Sequence, residues 1–279
     1  MKTILITGAS SGIGKAAALK FATAGWNVIA TMRSPEKEQE LNLIDNIFIV
    51  KLDVQDNDSI QQAILLGIEK FGRIDTLINN AGYMVIGAFE LATSEQISNQ
   101  FDINVFGVMN TTRAILPHFR QNQAGTIINI TSTGGRITFP TCSLYHASKF
   151  AIEGFSESLS YELISQNIAV KIVEPGSTHT NFVAAANVTV NPDITDYDEF
   201  NKIALENWYK NDTMPSTPAE IADVIYTAAT DESDQLRYMA GRDTKVYFGI
   251  RQGDSDQEYV QHMRNSFIPQ ILEAKKISN

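Results

Sequence analysis

The run Thr7-Gly8-Ala9-Ser10-Ser11-Gly12-Ile13-Gly14 decides how the chain begins to fold. It follows an apolar segment, Thr3 to Thr7, that is typical of a buried strand, and it opens a segment, Ile13 to Ala24, with apolar residues at helical spacing. Glycine has no Cβ, so the backbone of such a turn can approach a pyrophosphate, and the helix N-terminus adds free N–H donors. The spacing is GxxxGxG rather than the commoner GxGxxG, and a tight turn without a ligand is the alternative. The strand before the turn and the helix after it favour a dinucleotide site formed by Gly8, Ser10, Ser11, Gly12, Ile13 and Gly14.

The rest of the chain repeats this pattern of short apolar runs and longer helical segments. The pattern predicts an α/β fold of the Rossmann type, doubly wound, with a seven-stranded parallel sheet and helices on both faces. The predicted strands are Thr3 to Thr7, Asn27 to Met32, Ile47 to Leu52, Thr76 to Asn79, Thr126 to Thr131, Ala169 to Val173 and a last one near Lys245 to Phe248. The predicted helices are Ile13 to Ala24, Asp58 to Phe71, Ser94 to Gln121, Tyr145 to Ser165, and one that Thr217 and Pro218 begin and that ends near Thr230.

Composition limits the classes of protein that the chain can belong to. The 279 residues are 43% hydrophobic and 19% charged, which suits one folded domain over residues 1–279. A net charge of -10 would repel nucleic acid. The single cysteine excludes an internal disulfide, and the four histidines are too scattered to suggest a metal site. No segment is long enough to span a membrane, and the start lacks a signal peptide, so we expect a cytoplasmic protein.

Arg33 bears on which dinucleotide binds. It lies at the end of the second predicted strand, where an NAD-binding protein would place a carboxylate for the ribose 2′-hydroxyl. No acid is present there, and a guanidinium can pair with a 2′-phosphate. The position favours NADP over NAD, although Arg33 could also be a solvated residue at a strand end.

Tyr145 and Lys149 are the strongest candidates for chemistry. A spacing of four puts both side chains on one face of a helix, with their Cβ atoms roughly 6 Å apart. A nearby ammonium favours the phenolate, so we expect Lys149 to lower the Tyr145 pKa toward neutrality. That is what an acid/base catalyst acting on an alcohol or a carbonyl requires.

Together these motifs resemble the short-chain dehydrogenase/reductase family, in its branch of compact single-domain members. The resemblance rests on the glycine loop, Asp53-Val54, Asn79 to Gly82, Asn104, Ser132, the Tyr145/Lys149 pair, and Pro175-Gly176 followed by Thr180, all in the family's order and spacing.

The resemblance implies a role for each matching residue. Tyr145 is the acid/base, Lys149 assists it and bonds the nicotinamide ribose, Ser132 fixes the reacting oxygen, and Asn104 holds a water that links Lys149 to solvent. The remaining cofactor contacts that it implies are Asp53 and Val54 at the adenine, Asn80, Ala81 and Gly82 beside the adenosine half, Pro175 and Gly176 under the nicotinamide, and Thr178 and Thr180 at its carboxamide or the phosphates. A plain strand end or turn is the alternative for Ser132, Asp53 and Asn80 to Gly82, and a bridge between backbone groups is the alternative for Asn104.

The loops after the fourth, fifth and sixth strands should form the substrate pocket. Their residues are mostly apolar: Tyr83, Met84, Val85, Ile86, Phe89, Ile137, Phe139, Cys142, Leu144, Phe182 and Val183. They indicate a hydrophobic carbonyl or alcohol substrate, with Arg136 as a charge that could meet an acidic group; packing of the loops onto the sheet is the alternative. Residues 182–215 are too long for an ordinary connection and suggest a mobile lid with a short helix around Phe200 to Trp208. Residues 251–279 suggest a helical extension that leaves monomer, homodimer and higher homo-oligomer open.

Two other functions are compatible with such a fold. A dinucleotide-binding regulator without turnover would have no need for Tyr145, Lys149 and Ser132 together. An epimerase or dehydratase with a retained cofactor usually has a longer C-terminal domain and a different glycine spacing. The sequence therefore favours an NADP-dependent oxidoreductase acting on a small-molecule carbonyl or alcohol.

Overall fold

A computed structural model of the chain describes the backbone of residues 1–277 and the side chains of residues 1–274. The strands in this part of the chain are β1 (Thr3–Ile6), β2 (Asn27–Met32), β3 (Ile47–Lys51), β4 (Thr76–Asn79), β5 (Val85–Ile86), β6 (Gly125–Ile130), β7 (Ile168–Pro175), β8 (Asn187–Val188) and β9 (Arg237–Ala240). The helices are α1 (Gly12–Thr23), α2 (Asn57–Phe71), α3 (Ser94–Phe101), α4 (Gly107–Asn122), α5 (Ser143–Leu163), α6 (Asp198–Asn211), α7 (Pro218–Thr230), α8 (Arg242–Gly253), α9 (Asp256–Phe267) and α10 (Pro269–Ile277).

Seven strands form one parallel sheet in the order β3-β2-β1-β4-β6-β7-β9. The strand order reverses direction at β1, between β2 and β4, which is the switch point of a doubly wound fold. The predicted fold class is confirmed. Because all seven strands are parallel, their carboxyl ends lie at one edge of the sheet, and the loops that carry the predicted site residues meet there.

Each face of the sheet is covered by helices that bury apolar side chains. On one face α1 and α7 pack over β1, β2 and β6, with fully buried residues such as Phe21 and Ile225. On the other face α2, α4 and α5 bury Ile115 and Phe119 against Leu77 and Ile127. The two apolar layers explain why the strands read as continuous hydrophobic runs rather than alternating ones.

The predicted position of the last strand was wrong. The seventh strand is β9, Arg237–Ala240, which pairs with β7, and the apolar run Lys245 to Phe248 lies inside α8. Thr244, directly before that run, and Phe248 are buried four residues apart, whereas Val246 is exposed, so burial here follows a helical period. The strand begins with a charged residue, Arg237, whose guanidinium is paired with carboxylates of α5. Its sequence therefore does not look like that of a buried strand.

Two helical predictions also need correction. The single helix expected from Ser94 to Gln121 consists of α3 and α4, joined by a π-helical segment at Asp102–Phe106. A π-helical turn adds one residue to a helix, and one added residue barely changes the 3.6-residue spacing of the apolar positions. The expected C-terminal helix is three helices, α8, α9 and α10, of which α8 begins nine residues earlier than expected; residues 278 and 279 of that prediction lie outside the described residues.

Residues 182–215 contain β8 and α6, and α6 is the short helix that the spacing of Phe200 to Trp208 predicts. Helix α6 packs on α9, where the buried Asn207 amide donates to the Phe267 carbonyl at 3.0 Å. The C-terminal helices therefore hold this segment at the carboxyl edge of the sheet. Within residues 1–277, none of the helices combines the length and the apolar character needed to cross a lipid bilayer.

Candidate active site

A cleft of about 790 Å³ runs along the carboxyl edge of the sheet. It is lined by every residue that the sequence assigns to the cofactor or to catalysis, except Asn104. Those lining residues are Gly8, Ser10, Ser11, Gly12, Ile13, Gly14, Arg33, Asp53, Val54, Asn80, Ala81, Gly82, Ser132, Tyr145, Lys149, Pro175, Gly176, Thr178 and Thr180. The fold thus brings together residues that are up to 172 positions apart in the chain, from Gly8 to Thr180.

The glycine loop forms a cradle at one end of the cleft. Gly8 and Gly12 have φ angles of +69° and +55°, which residues with a Cβ rarely adopt. A Cβ at Gly14 would lie 2.3 Å from the Gly8 carbonyl oxygen. Only glycine at these positions lets the loop close against the start of α1, so the exposed amides at the helix N-terminus face the cleft and fit the diphosphate of a dinucleotide.

Asn80 fixes that loop from the neighbouring strand end. Its amide nitrogen donates to the carbonyl oxygens of Thr7 and Gly8, at 2.9 and 3.0 Å. The Thr7 hydroxyl in turn accepts the backbone N–H groups of Asn80 and Ala81. The role of Asn80 in this structure is therefore to lock the end of β1 to the end of β4, directly beneath the cradle.

Arg33 and Asp53 lie at the end of the cleft beyond the glycine loop. Arg33 follows β2 and is exposed, and it has no carboxylate partner among the described ion pairs. Asp53 follows β3, and one of its carboxylate oxygens accepts the N–H of Gln55 at 3.1 Å. One positive and one negative group therefore flank the region where the adenosine half of a dinucleotide would lie.

Ser132, Tyr145 and Lys149 converge at the centre of the cleft. Ser132 follows β6, and its hydroxyl lies near enough to the Tyr145 phenol on α5 to influence its pKa. Lys149 lies one turn further along α5, with Nζ 5.8 Å from the centre of the Tyr145 ring. The same ammonium donates to the Ile130 carbonyl at 3.0 Å. The helix begins at Ser143, two residues before Tyr145, and this start places both side chains on the face toward β6.

Burial dominates the electrostatics of this group in the protein alone. It raises the pKa of Tyr145 to about 12, while the hydrogen bond from Ser132 acts in the opposite direction. Burial also lowers the pKa of Lys149 to about 8, partly offset by the Glu153 carboxylate. The pKa shift at Tyr145 is opposite to the one expected from the spacing. Removing the phenolate from water costs more free energy than its interactions with neighbouring groups contribute. A near-neutral Tyr145 pKa therefore needs further positive charge in the cleft.

A chain of charged side chains lies behind Lys149, of which the two carboxylates, Glu153 and Glu174, are buried. Glu153, one turn further along α5, accepts from the Thr131 hydroxyl at 2.7 Å and from Arg237 at 2.9 Å. Arg237 also lies 3.9 Å from Glu174, whose other neighbour is Arg136 at 3.3 Å. Burial and the Glu153 charge raise the pKa of Glu174 to about 7. The network joins β7, β9 and α5, and it gives the buried Lys149 a carboxylate on its own helix.

Asn104 lies beneath the cleft in the π-helical segment, and it is 1% exposed. Its amide nitrogen donates to the Tyr83 carbonyl at 2.9 Å and to the Ser148 hydroxyl at 3.1 Å, and its amide oxygen accepts the Tyr83 N–H at 2.8 Å. Ser148 donates to the Tyr145 carbonyl at 2.7 Å. The side chain of Asn104 therefore connects the loop after β4 to the helix that carries Tyr145.

The loop after β7 passes along the opposite side of the cleft. A Cβ at Gly176 would lie 1.9 Å from one carboxylate oxygen of Asp243, and the other oxygen accepts the Ser177 N–H at 2.8 Å. Thr178 donates to the Gly176 carbonyl at 3.0 Å. The Thr180 methyl group lies 3.3 Å from the Cβ position of Gly12, so this loop closes over the glycine cradle.

The substrate end of the cleft agrees with part of the predicted lining. Tyr83, Met84, Phe139, Cys142, Phe182 and Val183 line it. Val85, Ile86, Phe89, Ile137 and Leu144 do not: Phe89 is 58% exposed, and the others are buried in packing, as the alternative interpretation has it. The expectation that Arg136 meets an acidic substrate is wrong, because its guanidinium is paired with Glu174 and lies over the Phe248 ring, outside the cleft.

Several lining residues were not identified from the sequence. They are Trp208, Asn211 and Asp212 at the end of α6, Asp243 and Tyr247 on α8, and His146 on α5. Because the last strand was expected where α8 lies, Asp243 and Tyr247 were not predicted to line the cleft. Trp208 could have been found, because it belongs to the apolar spacing that predicts α6. No sequence pattern singles out His146, yet it is 4% exposed and its two ring nitrogens both bond the backbone.

A family model of the short chain dehydrogenases matches residues 2–191. The chain belongs to the short-chain dehydrogenase family. An uncharacterized oxidoreductase of Schizosaccharomyces pombe is 40% identical over 229 residues, which are 82% of this chain and 96% of that protein. A 3-ketodihydrosphingosine reductase of Bacteroides thetaiotaomicron is 43% identical over 186 residues, 67% of each chain.

Solved structures of the family agree with this assignment. A short-chain dehydrogenase from Streptomyces avermitilis superposes with a TM-score of 0.78 at 33% identity, covering 100% of this chain and 98% of its own. A 3-ketoacyl-(acyl-carrier-protein) reductase from Brucella melitensis, complexed with NADH, gives 0.73 at 25% identity over 86% and 96%. The closed form of a serine dehydrogenase with NADP+ gives 0.72 at 29% identity over 85% and 94%. The protein is an oxidoreductase of the short-chain dehydrogenase family, whose solved members include both NADH and NADP complexes.

The glycine cradle gives a direct test of the cofactor site. We expect Gly14→Ala to weaken dinucleotide binding by at least about tenfold, because its Cβ would push apart the Gly8 carbonyl and the Asn80 amide, which it would approach to 2.3 and 2.5 Å. The matched control is Gly154→Ala, where the new Cβ would meet nothing within 4 Å. Dissociation constants from quenching of protein fluorescence by the dinucleotide measure both, and equal affinity of the two variants would contradict the role of the cradle.

Proposed function

We propose that the protein is an NADP(H)-dependent oxidoreductase that interconverts a hydrophobic carbonyl compound and its alcohol, with Tyr145 as the acid/base. The observation that carries this proposal is the convergence of Ser132, Tyr145 and the buried Lys149 at the centre of a cleft that also contains the glycine cradle. A dinucleotide in this cleft would supply the hydride acceptor or donor. The protein's own residues supply the proton and hold the substrate oxygen.

Tyr145 is the group that exchanges the proton with the substrate oxygen. Its high pKa in the protein alone keeps the phenol protonated, which is the form that donates during carbonyl reduction. Ser132, which lines the cleft beside the same hydroxyl, can donate to the substrate oxygen from a second direction and fix its position. Lys149 supplies positive charge one helical turn away, which stabilises the phenolate that remains after the proton has left.

Asn104 acts in this proposal as a positioning residue with a solvent-relay role. Its side chain is fully bonded to Tyr83 and Ser148, so it fixes the helix around Tyr145 rather than touching the substrate. We propose that a water held in the π-helical segment around Asn104 returns protons to Lys149.

The preference for NADP rests on Arg33. Its guanidinium lines the cleft beside Met32 and Asp53, and none of the described ion pairs occupies it. A guanidinium at this position can bond a 2′-phosphate in a bidentate manner, whereas a ribose 2′-hydroxyl gains little from it.

The apolar walls of the cleft support a hydrophobic substrate. Aromatic and aliphatic side chains, including Phe139, Phe182 and Trp208, surround the space beside Tyr145. Asp212 and Asp243 line the same end, so an acidic substrate would meet two carboxylates there. The named substrate of the Bacteroides relative, 3-ketodihydrosphingosine, carries a ketone on a long hydrocarbon chain and is therefore the kind of molecule that suits these walls.

We further propose that residues 182–215 act as a lid over bound substrate, within a single domain. Phe182, Val183 and Trp208 line the cleft from this segment. The β5–β8 pairing and the packing of α6 on α9 hold this segment, together with side-chain bonds such as those of Asn201 to the Ala88 N–H and of Tyr197 to Glu90. Several of these bonds join exposed side chains, so they can break without disturbing the core, as closing on a ligand requires.

Tyr145→Phe tests the catalytic assignment. It removes the proton and keeps the ring, so we expect kcat to fall roughly 10²- to 10⁴-fold while the dissociation constant for NADPH stays within about threefold. The assay is a panel of hydrophobic ketones and aldehydes followed by NADPH absorbance. Tyr161→Phe is the control, since Tyr161 lies on the same helix and is 70% exposed. Turnover retained by Tyr145→Phe, or a panel that reacts only with small charged hydroxy acids, would contradict the proposal.

Arg33→Ala tests the choice of cofactor. We expect the affinity for NADPH to fall roughly 10- to 100-fold, because a charge-assisted pair with the 2′-phosphate is lost, and the affinity for NADH to change less than about threefold. Arg113→Ala changes the net charge equally at an exposed position of α4 away from the cleft. Calorimetry with both cofactors compares the variants. NADH binding as tight as NADPH in the unaltered protein would remove the argument.

Hydrogen exchange tests the lid. We expect amides of residues 182–215 to exchange much faster than those of the sheet strands in the free protein, and to slow when NADP+ and an alcohol product analogue bind together. Strand β6, whose backbone bonds are buried on both sides, serves as the internal reference. Exchange in 182–215 that is as slow as in β6, with and without ligand, would exclude a mobile lid.

A further inference from the structure

We infer that His146 is a positioning residue for the reaction: its imidazole holds the loop after β6 so that Ser132 faces Tyr145. The inference rests on the proposed function, because it assigns His146 a part in presenting Ser132 to the substrate. The residue follows Tyr145 directly on α5 and lines the cleft, and both of its ring nitrogens bond the backbone of the loop of residues 132–142.

The imidazole is bonded at both nitrogens to backbone atoms of that loop. Nε2 accepts the Phe139 N–H at 2.7 Å, so it carries no proton. Nδ1 lies 2.8 Å from the Gly134 carbonyl and must therefore donate to it. Only the neutral tautomer with its proton on Nδ1 satisfies both partners. Burial lowers the pKa of His146 to about 4, which keeps the ring neutral in ordinary buffers.

Gly134 connects this bond to Ser132. Its backbone N–H donates to the Ser132 hydroxyl oxygen at 3.0 Å, while its carbonyl accepts from His146. A single peptide segment thus has the catalytic hydroxyl on one side and the imidazole on the other. A Cβ at Gly134 would lie 2.9 Å from His146 Nδ1 and 3.4 Å from Ser132 Oγ, so the three residues are in close contact. Any shift of Gly134 would move the N–H that orients Ser132.

Phe139 connects the same imidazole to the substrate wall. Its ring lines the cleft and packs against Tyr247 and Phe267, with ring centres 5.2 and 5.3 Å away. One side chain therefore fixes two functional parts of the loop, the oxygen-binding hydroxyl through Gly134 and an apolar wall through Phe139. A histidine suits this task because a donor and an acceptor stand on opposite sides of one rigid ring.

Three substitutions separate the two bonds. His146→Leu removes both. His146→Asn places an amide N–H near the position of Nδ1 and keeps the bond to Gly134, and His146→Gln places a carbonyl oxygen near the position of Nε2 and keeps the bond to Phe139. We expect kcat to fall roughly 10- to 100-fold in His146→Leu, since a displacement of about 1 Å at a reacting group can have an effect of that size. His146→Asn should retain more of kcat than His146→Gln, whereas His146→Gln should retain the KM for large apolar substrates better.

The decisive measurement is a double-mutant cycle with Ser132→Ala. If His146 acts through Ser132, His146→Leu should cost less than about twofold in kcat once the hydroxyl is absent. His118→Leu is the matched control: His118 also accepts a backbone N–H, that of Ile74 at 3.0 Å, far from the cleft. It should lower thermal stability without changing kcat per folded molecule. NADPH affinity, measured for each variant, confirms that the protein is folded.

An equal loss of kcat with and without the Ser132→Ala substitution, or an unchanged kcat in His146→Leu, would overturn the inference. If His146→Leu does not fold, the comparison of His146→Asn with His146→Gln decides, and equal kcat in both would be evidence against it. The outcome is separable from that of the proposed function. Turnover retained by Tyr145→Phe refutes the proposed function, whereas an inactive Tyr145→Phe with an additive cycle refutes only the role of His146.

Discussion

The bond from the Lys149 ammonium to the Ile130 carbonyl holds the centre of this molecule together. It joins α5, which carries Tyr145, to the end of β6, which carries Ser132, so two residues from different elements meet. Burying an ammonium is costly by roughly several kcal/mol unless it is paired and hydrogen-bonded. Glu153, itself held by Thr131 and Arg237, supplies the compensating charge. The arrangement is stable because the charges form a network, and it leaves Lys149 easy to deprotonate compared with a lysine in water.

Much of the fold could be predicted because its signals are local. The glycine loop, the apolar strands and the Thr217-Pro218 helix start each depend on neighbours in the sequence. The last strand could not, because β9 is short, begins with Arg237 and is stabilised by pairing with β7 and by carboxylates of α5 that lie some 80 residues away. The π-helical segment could not be predicted for a related reason. It is stabilised by the bonds of Asn104 to Tyr83 and Ser148, which are distant in the sequence, and one extra residue barely alters the helical period of the apolar positions.

The candidate site divides in the same way. Residues that bind through their own backbone or by a motif with fixed spacing were placed in the cleft correctly, among them Gly14, Tyr145 and Lys149. Residues whose role comes from a distant partner were not. Arg136 lies in the expected loop, but Glu174 on β7 takes its charge away from the cleft. The role of His146 depends on the path of the loop from Gly134 to Phe139, and no local pattern specifies that path. The Tyr145 pKa also differs from expectation, since burial is a property of the whole fold.

The family match covers one part of the site and leaves out several residues at the substrate end of the cleft. The match ends at residue 191, so it contains the glycine cradle, Ser132, Tyr145 and Lys149, whereas Trp208, Asp212, Asp243 and Tyr247 come after it. Those later residues lie on α6 and α8, and α9 ties both to the loop after β6: the Tyr259 hydroxyl accepts the Thr138 N–H at 2.9 Å, and Phe267 packs against Phe139. The C-terminal helices therefore shape the substrate end, and among the described residues no hydrogen bond or ring contact joins them to Ser132, Tyr145 or Lys149. In the reaction we propose, changes in this part of the chain can alter which carbonyl fits without disturbing how its oxygen is protonated, and such a separation lets one catalytic arrangement serve many substrates.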